Sequence, residues 1–137
     1  MYDRLLVAVD HSETSPRVIA AAKELALLSK GKVWVLHLRE REFGRVGRAP
    51  TESDEEARDA VTLGVETLIQ AGVDAQGEVR EALYGHAALE IVEDAKKHDA
   101  GVIIMGSRGR SDIAGLVLGS TAHKVIHLTD RPVLVVR

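Results

Sequence analysis

Short apolar runs alternate along this chain with segments in which apolar residues recur at helical spacing, which predicts buried strands separated by amphipathic helices. The first run, Arg4–Val9, is almost continuously apolar, as expected of a central strand that is buried on both faces. Gly77 and several polar residues interrupt the third run, so we expect it at an edge of the sheet. The predicted strands are Arg4–Val9, Lys32–Leu38, Val73–Val79, Val102–Met105 and Val133–Val136.

The segments between the predicted strands show the apolar spacing of helices, and they also contain residues that are typical of helix ends. Capping residues indicate where they begin, among them Ser15 before a proline, and glycines indicate where the first two end. The predicted helices run from a start between Ser12 and Pro16 to Gly31, from the capping box Ser53–Glu56 to Gly72, from about Gly85 through Ala95, and from Ala122 to Leu128. Their expected buried faces comprise Val18, Ile19, Ala22, Leu25 and Ala26; Ala57, Ala60, Val61, Gly64, Leu68 and Ala71; Ala87, Ala88, Ile91, Val92 and Ala95; and Ala122, Val125 and Ile126.

Strands that alternate with helices predict an α/β fold, namely an open parallel sheet with helices on both faces and right-handed crossovers. The chain has 137 residues, and we expect residues 1–137 to form one domain. In open α/β sheets a ligand binds outside the carboxyl ends of the strands, where the strand order reverses. If the first strand is central, this crevice lies between the first and fourth strands, at Asp10 and Gly106.

A glycine-bearing segment connects the fourth strand to the fourth helix. Gly106, Gly109 and Gly119 allow the backbone to approach an anion closely and to turn N–H groups toward it. Ser120 and Thr121 add hydroxyl donors at a helix N-terminus, whose dipole favours negative charge. The segment is therefore a candidate phosphate site. The alternative is an ordinary turn in which Ser120 is an N-cap, and neither a Walker-type loop nor a G-x-G-x-x-G sequence supports a kinase-like or dehydrogenase-like mechanism.

Further candidate ligand contacts lie near this crevice. Asp10 is suited to ribose hydroxyls, adenine N–H groups or a metal ion near phosphates; the alternative is a carboxylate that caps the following helix. Val9 and Leu38 offer apolar walls for a base. Arg108 and Arg110 carry guanidinium groups that match phosphate geometry, and the alternative is a pair of solvated loop cations.

The histidines give no catalytic arrangement. We expect His37 to be a strand-face residue satisfied by a hydrogen bond. His123 and His127 lie four positions apart, as a metal pair would, but no acidic third ligand accompanies them, and solvated helix histidines are the alternative. His11 has no serine or aspartate partner at a defined spacing, so no catalytic residue is predicted.

The composition excludes several classes of protein. Because cysteine is absent, disulfides, thiolate metal sites and cysteine nucleophiles are excluded. Aromatic residues make up 3% of the chain, too few for base-stacking platforms, and the net charge of −3 gives no general attraction to nucleic acid or anionic membranes. No signal-peptide core or membrane-spanning run is present, so we expect a soluble cytoplasmic protein without nucleic-acid or membrane partners.

The segment Arg39–Pro50 has no hydrophobic period and contains three glycine or proline breakers. Long segments of this kind in a compact domain are usually functional or disordered. We therefore expect a mobile loop that covers the base end of the crevice.

Several segments of this chain occur together in one known family: 5–15 with the pattern L-L-V-A-V-D-x-S-x-x-S, Val35–Leu38, Ile103–Gly109 with Gly119-Ser120, and Arg131–Val136. Over its whole length the chain resembles the universal stress protein family. Gly106, Gly109, Gly119 and Ser120 fulfil the pattern G-x2-G-x9-G-[ST], which marks the ATP-binding branch of that family.

The resemblance implies the strand order 3-2-1-4-5. It also implies that adenine lies near Asp10, Val9 and the end of the second strand, with the phosphates on the glycine segment. His11 stands where the family usually has glycine, and a side chain there narrows the ribose end or changes which nucleotide fits. The predicted nucleotide-binding residues are Val9, Asp10, Leu38, Met105, Gly106, Arg108, Gly109, Gly119, Ser120 and Thr121.

The predicted function is ATP binding in a stress-response protein, regulatory rather than catalytic. ADP and AMP are alternative nucleotides, and Mg²⁺ is expected only with a nucleotide, near Asp10. The competing functions are a slow ATP hydrolase and a ligand-free dimeric interaction protein. Hydrolysis needs a base or a water-positioning residue, and the sequence specifies none beyond Asp10 and the loop arginines. We expect a homodimer through Val133–Val136, because an aliphatic edge strand without charge or proline invites aggregation unless it is paired; the alternative is a helix that covers this edge within one subunit.

Overall fold

The computed structural model describes residues 1–10, 15–41, 53–108 and 118–137. Strands and helices alternate through these ranges, as the sequence predicts. The elements are β1 (Arg4–Val9), α1 (Ser15–Ser29), β2 (Lys32–Arg41), α2 (Asp54–Gln70), β3 (Ala75–Leu83), α3 (Ala87–Lys97), β4 (Val102–Gly106), α4 (Ser120–Leu128) and β5 (Val133–Val136).

The five strands form one parallel sheet in the order β3-β2-β1-β4-β5. This confirms the predicted fold class, the strand order, the central position of β1 and the edge position of β3. The chain leaves β1 toward β2 and leaves β4 toward β5, so the strand order reverses between β1 and β4. The topological switch point therefore lies where it was expected.

The sheet carries an apolar core on each face. The core against α1 and α2 contains Val7, Val35 and Ile104, and the core against α3 and α4 contains Leu6, Leu36 and Ile103. Successive residues of β1 thus point into opposite cores, which explains why its sequence is almost continuously apolar. Ile126 was predicted on a buried face, but it is 44% exposed.

Two strands extend further than their apolar patterns indicated. β2 continues to Arg41 and pairs there with Leu83 of β3, so both strands end later than predicted. Arg39 was assigned to the loop, but it lies in β2, where its buried side chain forms an ion pair with Asp54 at the start of α2. The ends of these two strands contain polar residues, because β3 is an exposed edge strand. The apolar pattern therefore did not indicate where the strands end. The rest of the predicted loop, residues 42–50, lies outside the described residues.

Both ends of α2 follow the expected chemistry, whereas the end of α1 does not. The capping box of α2 is present, with Ser53 accepting from the backbone of Glu56, and Gly72 beyond the helix has a φ of +87°. At the end of α1 the left-handed residue is Lys30, with a φ of 56°, rather than Gly31. Gly31 serves close packing instead, because a Cβ there would lie 2.5 Å from the Tyr2 carbonyl oxygen.

One carboxylate is buried between the sheet and α3. Asp94 is 1% exposed and accepts from Trp34 Nε1 at 3.1 Å and from Arg80 Nη1 at 3.0 Å. His98 stacks on Trp34 with ring centroids 4.2 Å apart, and its Nε2 lies 3.8 Å from Asp94. This buried network connects β2, β3 and α3, and nothing in the spacing of the sequence had indicated it.

Within the ranges that the structure describes, every helix is too short or too polar to cross a membrane.

Candidate functional site

The carboxyl ends of β1 and β4 lie side by side at the topological switch point. Ala8 is paired with Met105 in the sheet, so Asp10 and Gly106 come to the same edge. On its other side β4 is paired with β5, where Gly106 lies opposite Val136. The fold thus brings together the two strand ends that the sequence had placed at a ligand crevice.

Hydrogen bonds hold the start of α4 against the end of β4. The Ser107 N–H donates to the Val136 carbonyl at 2.7 Å, and the Gly119 N–H donates to the Ser107 carbonyl at 2.5 Å. Ser107 and Gly119 are therefore adjacent in space although a long connection separates them in sequence. Gly109 and Arg110 belong to that connection and lie outside the described residues.

The N-terminus of α4 presents backbone donors at this edge. Gly119 is the N-cap, and Ser120 and Thr121 are the first two helical residues, so the helix begins earlier than predicted. No side chain of the described residues caps it. The first N–H groups of a helix have no partner within the helix, and together with the helix dipole they favour an anion.

Gly119 is not required by its own backbone conformation. Its φ of −70° and ψ of 161° are accessible to any residue, and Gly106 also has no positive φ. A positive φ is therefore not the reason for glycine at either position. What glycine provides at position 119 is the absence of a side chain at a helix N-terminus, where serine, threonine, aspartate or asparagine would give a stronger cap.

Asp10 is half-buried and contacts Ser15 at the start of α1. The Asp10 N–H donates to Ser15 Oγ at 3.3 Å, Ser15 Oγ lies 3.1 Å from Asp10 Oδ1, and the hydroxyl also contacts the Asp10 carbonyl oxygen. The sequence indicated Ser15 as an N-cap, but this hydroxyl turns back to the end of β1. His37 is 3% exposed, and its Nδ1 lies 2.7 Å from the Val9 carbonyl oxygen, which confirms the expected hydrogen bond.

The remaining predicted contacts differ in how they are placed. Val9 packs into the core against α1 and α2, and Met105 into the core against α3 and α4. Their side chains are therefore committed to packing, which leaves their backbones at the edge of the sheet. Leu38 is half-buried, and Arg108 is exposed beside Ser107.

The geometry gives little support to a metal site formed by protein side chains alone. Within the described residues, no three histidine, cysteine, aspartate or glutamate side chains are grouped so that they could hold a metal ion. His123 and His127 are exposed on α4, and their rings form an edge contact with centroids 4.5 Å apart.

A parallel sheet in the order β3-β2-β1-β4-β5, with its switch point between β1 and β4, defines a doubly wound, Rossmann-like fold. Within that class, the chain belongs to the universal stress protein family, whose family model matches residues 1–137. This confirms the resemblance that the sequence motifs indicated.

The chain is similar to several members of the family over its full length. Universal stress protein YxiE of Bacillus subtilis is 33% identical, with 100% of both chains covered. The structure of a universal stress protein from Archaeoglobus fulgidus has a TM-score of 0.78 at 29% identity, with 100% of both chains covered. The structure of the universal stress protein from Archaeoglobus fulgidus in complex with dAMP has a TM-score of 0.73 at 26% identity. The match covers 99% of this chain and 98% of that protein's chain.

Proposed function

We propose that this protein binds an adenine nucleotide, ATP, in the crevice between β1 and β4, and that this binding is regulatory rather than catalytic. The observation that carries the proposal is the N-terminus of α4, which no side chain of the described residues caps and which Ser107 and Gly119 hold against the end of β4. Backbone donors fixed in this way form a phosphate site without further rearrangement.

The phosphate end of the ligand is assigned to the glycine segment. The N–H groups of Ser120 and Thr121 and their hydroxyls donate to phosphate oxygens, and Gly106, Gly109 and Gly119 let the phosphates approach the backbone. Arg108 is exposed next to this segment, where a guanidinium group can bind a phosphate through two parallel hydrogen bonds.

The base and ribose are assigned to the end of β1 and its neighbour β2. The Asp10 carboxylate accepts from ribose hydroxyls, and it is also the contact proposed for nucleotide-bound Mg²⁺. The Leu38 side chain and the backbones of Val9 and Met105 form the walls for the base. The dAMP complex of the Archaeoglobus fulgidus protein supports an adenine nucleotide as the ligand class, because that protein is 26% identical to this one over nearly its whole length.

Native mass spectrometry with competing nucleotides tests the class of ligand. Dialysed protein is mixed with equal concentrations of ATP, ADP, AMP and GTP, and we expect adenine nucleotides to be retained, ATP most strongly. Ser53→Ala is the control, because it removes the cap of another helix, α2, and leaves the crevice intact. Retention of GTP to the same extent as ATP, or of no nucleotide, would contradict the proposal.

We also propose a homodimer through β5. This strand lies at an edge of the sheet, it is wholly aliphatic, and Leu134 is 40% exposed. Pairing with the same strand of a second copy about a two-fold axis satisfies its edge N–H and C=O groups and buries its side chains.

Val135→Lys is expected to shift the protein toward monomer, because it places a charge in the middle of the proposed interface. Gln76→Lys, on the opposite edge strand β3, is the matched control and should leave the oligomeric state unchanged. Light scattering of the wild type and both variants measures this. A monomeric mass for the wild type at micromolar concentration overturns the dimer.

A further inference from the structure

The peptide bond between Val9 and Asp10 is held from two sides by side chains of other elements. On one side the Val9 carbonyl oxygen lies 2.7 Å from Nδ1 of His37 in β2. On the other side the Asp10 N–H donates to Ser15 Oγ in α1 at 3.3 Å. A carbonyl oxygen only accepts, so Nδ1 of His37 carries the proton and donates. A single peptide unit is thus hydrogen-bonded at both of its polar groups.

The position of this peptide explains why side chains bind it. Val9 is the last residue of β1 and lies opposite His37 in the register with β2. The Asp10 N–H lies beyond the last ladder pair of β1, so it needs a partner outside the ladder. Because His37 is 3% exposed, water has little access to replace its hydrogen bond to the Val9 carbonyl.

The Ser15 hydroxyl makes the arrangement specific to Asp10. Besides accepting from the Asp10 N–H, it lies 3.1 Å from Oδ1 of the Asp10 carboxylate and contacts the carbonyl oxygen of the same residue. One hydroxyl therefore contacts both the backbone and the carboxylate of Asp10. The direction of that carboxylate then depends on the orientation of the peptide that precedes it.

We propose that His37 and Ser15 are positioning residues that orient the Asp10 carboxylate toward the ligand by clamping the Val9–Asp10 peptide. This inference rests on the proposed function, in which Asp10 accepts from the ribose hydroxyls of the nucleotide. Neither positioning residue needs to touch the nucleotide. The clamp holds whether His37 is neutral or protonated, because Nδ1 carries a proton in both forms.

Two substitutions of His37 distinguish its hydrogen bond to the Val9 carbonyl from its contribution to packing. In His37→Asn the side-chain amide nitrogen can take the place of Nδ1, because it is the same number of bonds from the backbone, whereas in His37→Gln it is one bond further away. We expect His37→Gln to raise the Kd for ATP about tenfold, because a reoriented Asp10 carboxylate loses about one hydrogen bond to the ribose, and we expect His37→Asn to restore most of the affinity.

Hydrogen exchange at the Asp10 amide tests the clamp without any nucleotide. Ser15→Ala removes the acceptor of this N–H and should accelerate its exchange. His37→Gln should accelerate the same exchange although His37 does not contact the amide, because the two hydrogen bonds share one peptide. For the same reason we expect the effects of Ser15→Ala and His37→Gln on the Kd to be less than additive in the double variant.

The outcomes distinguish this inference from the proposed function. A wild type that binds no adenine nucleotide overturns the proposed function. The hydrogen exchange of the Asp10 amide in the variants then still shows whether His37 and Ser15 hold the Val9–Asp10 peptide. If the wild type binds ATP and His37→Gln changes neither the Kd nor the exchange of the Asp10 amide, the clamp is wrong and nucleotide binding stands. Failure of His37→Asn to restore affinity, or strict additivity in the double variant, also overturns it.

Discussion

Gly119→Val is expected to weaken ATP binding at least about 100-fold while the protein remains folded. A branched side chain at the N-cap of α4 blocks the approach of phosphate to the Ser120 and Thr121 N–H groups, and two charge-assisted hydrogen bonds are lost together. The backbone permits the change, because the φ of −70° and ψ of 161° at this position are extended values that valine readily adopts; Gly119 is buried, so thermal unfolding checks that the variant is folded.

A graded substitution and a control make this result interpretable. Gly119→Ala adds a single methyl group and should weaken binding less than valine does. Ser53→Ala alters the N-terminus of α2, so it should lower the free energy of unfolding by about 1 kcal/mol and leave the affinity unchanged. Calorimetric titration and thermal unfolding of all three variants are the measurements. If folded Gly119→Val protein binds ATP as the wild type does, the phosphates do not lie at this helix.

The second large effect is expected far from the crevice, in the buried network around Asp94. Asp94→Ala should lower the free energy of unfolding by about 3 kcal/mol. It leaves the Trp34 N–H without its acceptor and the Arg80 guanidinium without the carboxylate that lies 3.0 Å from it. Arg80 keeps Glu78 at 3.4 Å and Glu90 at 3.7 Å, which compensate for part of the loss, so the expected value lies at the lower end for a broken buried pair.

Glu93→Ala is the matched control for Asp94→Ala, because it removes the preceding acid on the same helix. Its side chain is 61% exposed and pairs with Lys96 at 3.7 Å, so we expect a change below about 0.5 kcal/mol. Denaturant unfolding followed by the fluorescence of Trp34, the only tryptophan, compares the two variants. Equal stability of both would show that the Asp94 network does not stabilise the fold.

The sequence predicted the features that depend on local pattern. The fully apolar β1 indicated a central strand, the capping box at Ser53 indicated the start of α2, and the strand–helix alternation indicated the sheet and its switch point. The sequence could indicate these features because each depends on residues that are close together along the chain.

What the sequence did not predict depends on partners that are distant along the chain. Asp94 lies in a charged stretch that is typical of an exposed helix, and it is buried only because Trp34 and Arg80 reach it from the sheet. Arg39 resembled a loop residue, but it is buried in β2 and pairs with Asp54 of α2. The hydroxyl of Ser15 has a common capping position but binds Asp10, a choice that spacing alone cannot reveal.

Calorimetric titration of the dialysed wild-type protein with ATP tests the central claim most directly. We predict saturable binding with one nucleotide per chain, in which AMP competes for the same site because both ligands share the adenosine moiety. Absence of adenine-nucleotide binding at millimolar concentrations would contradict the account.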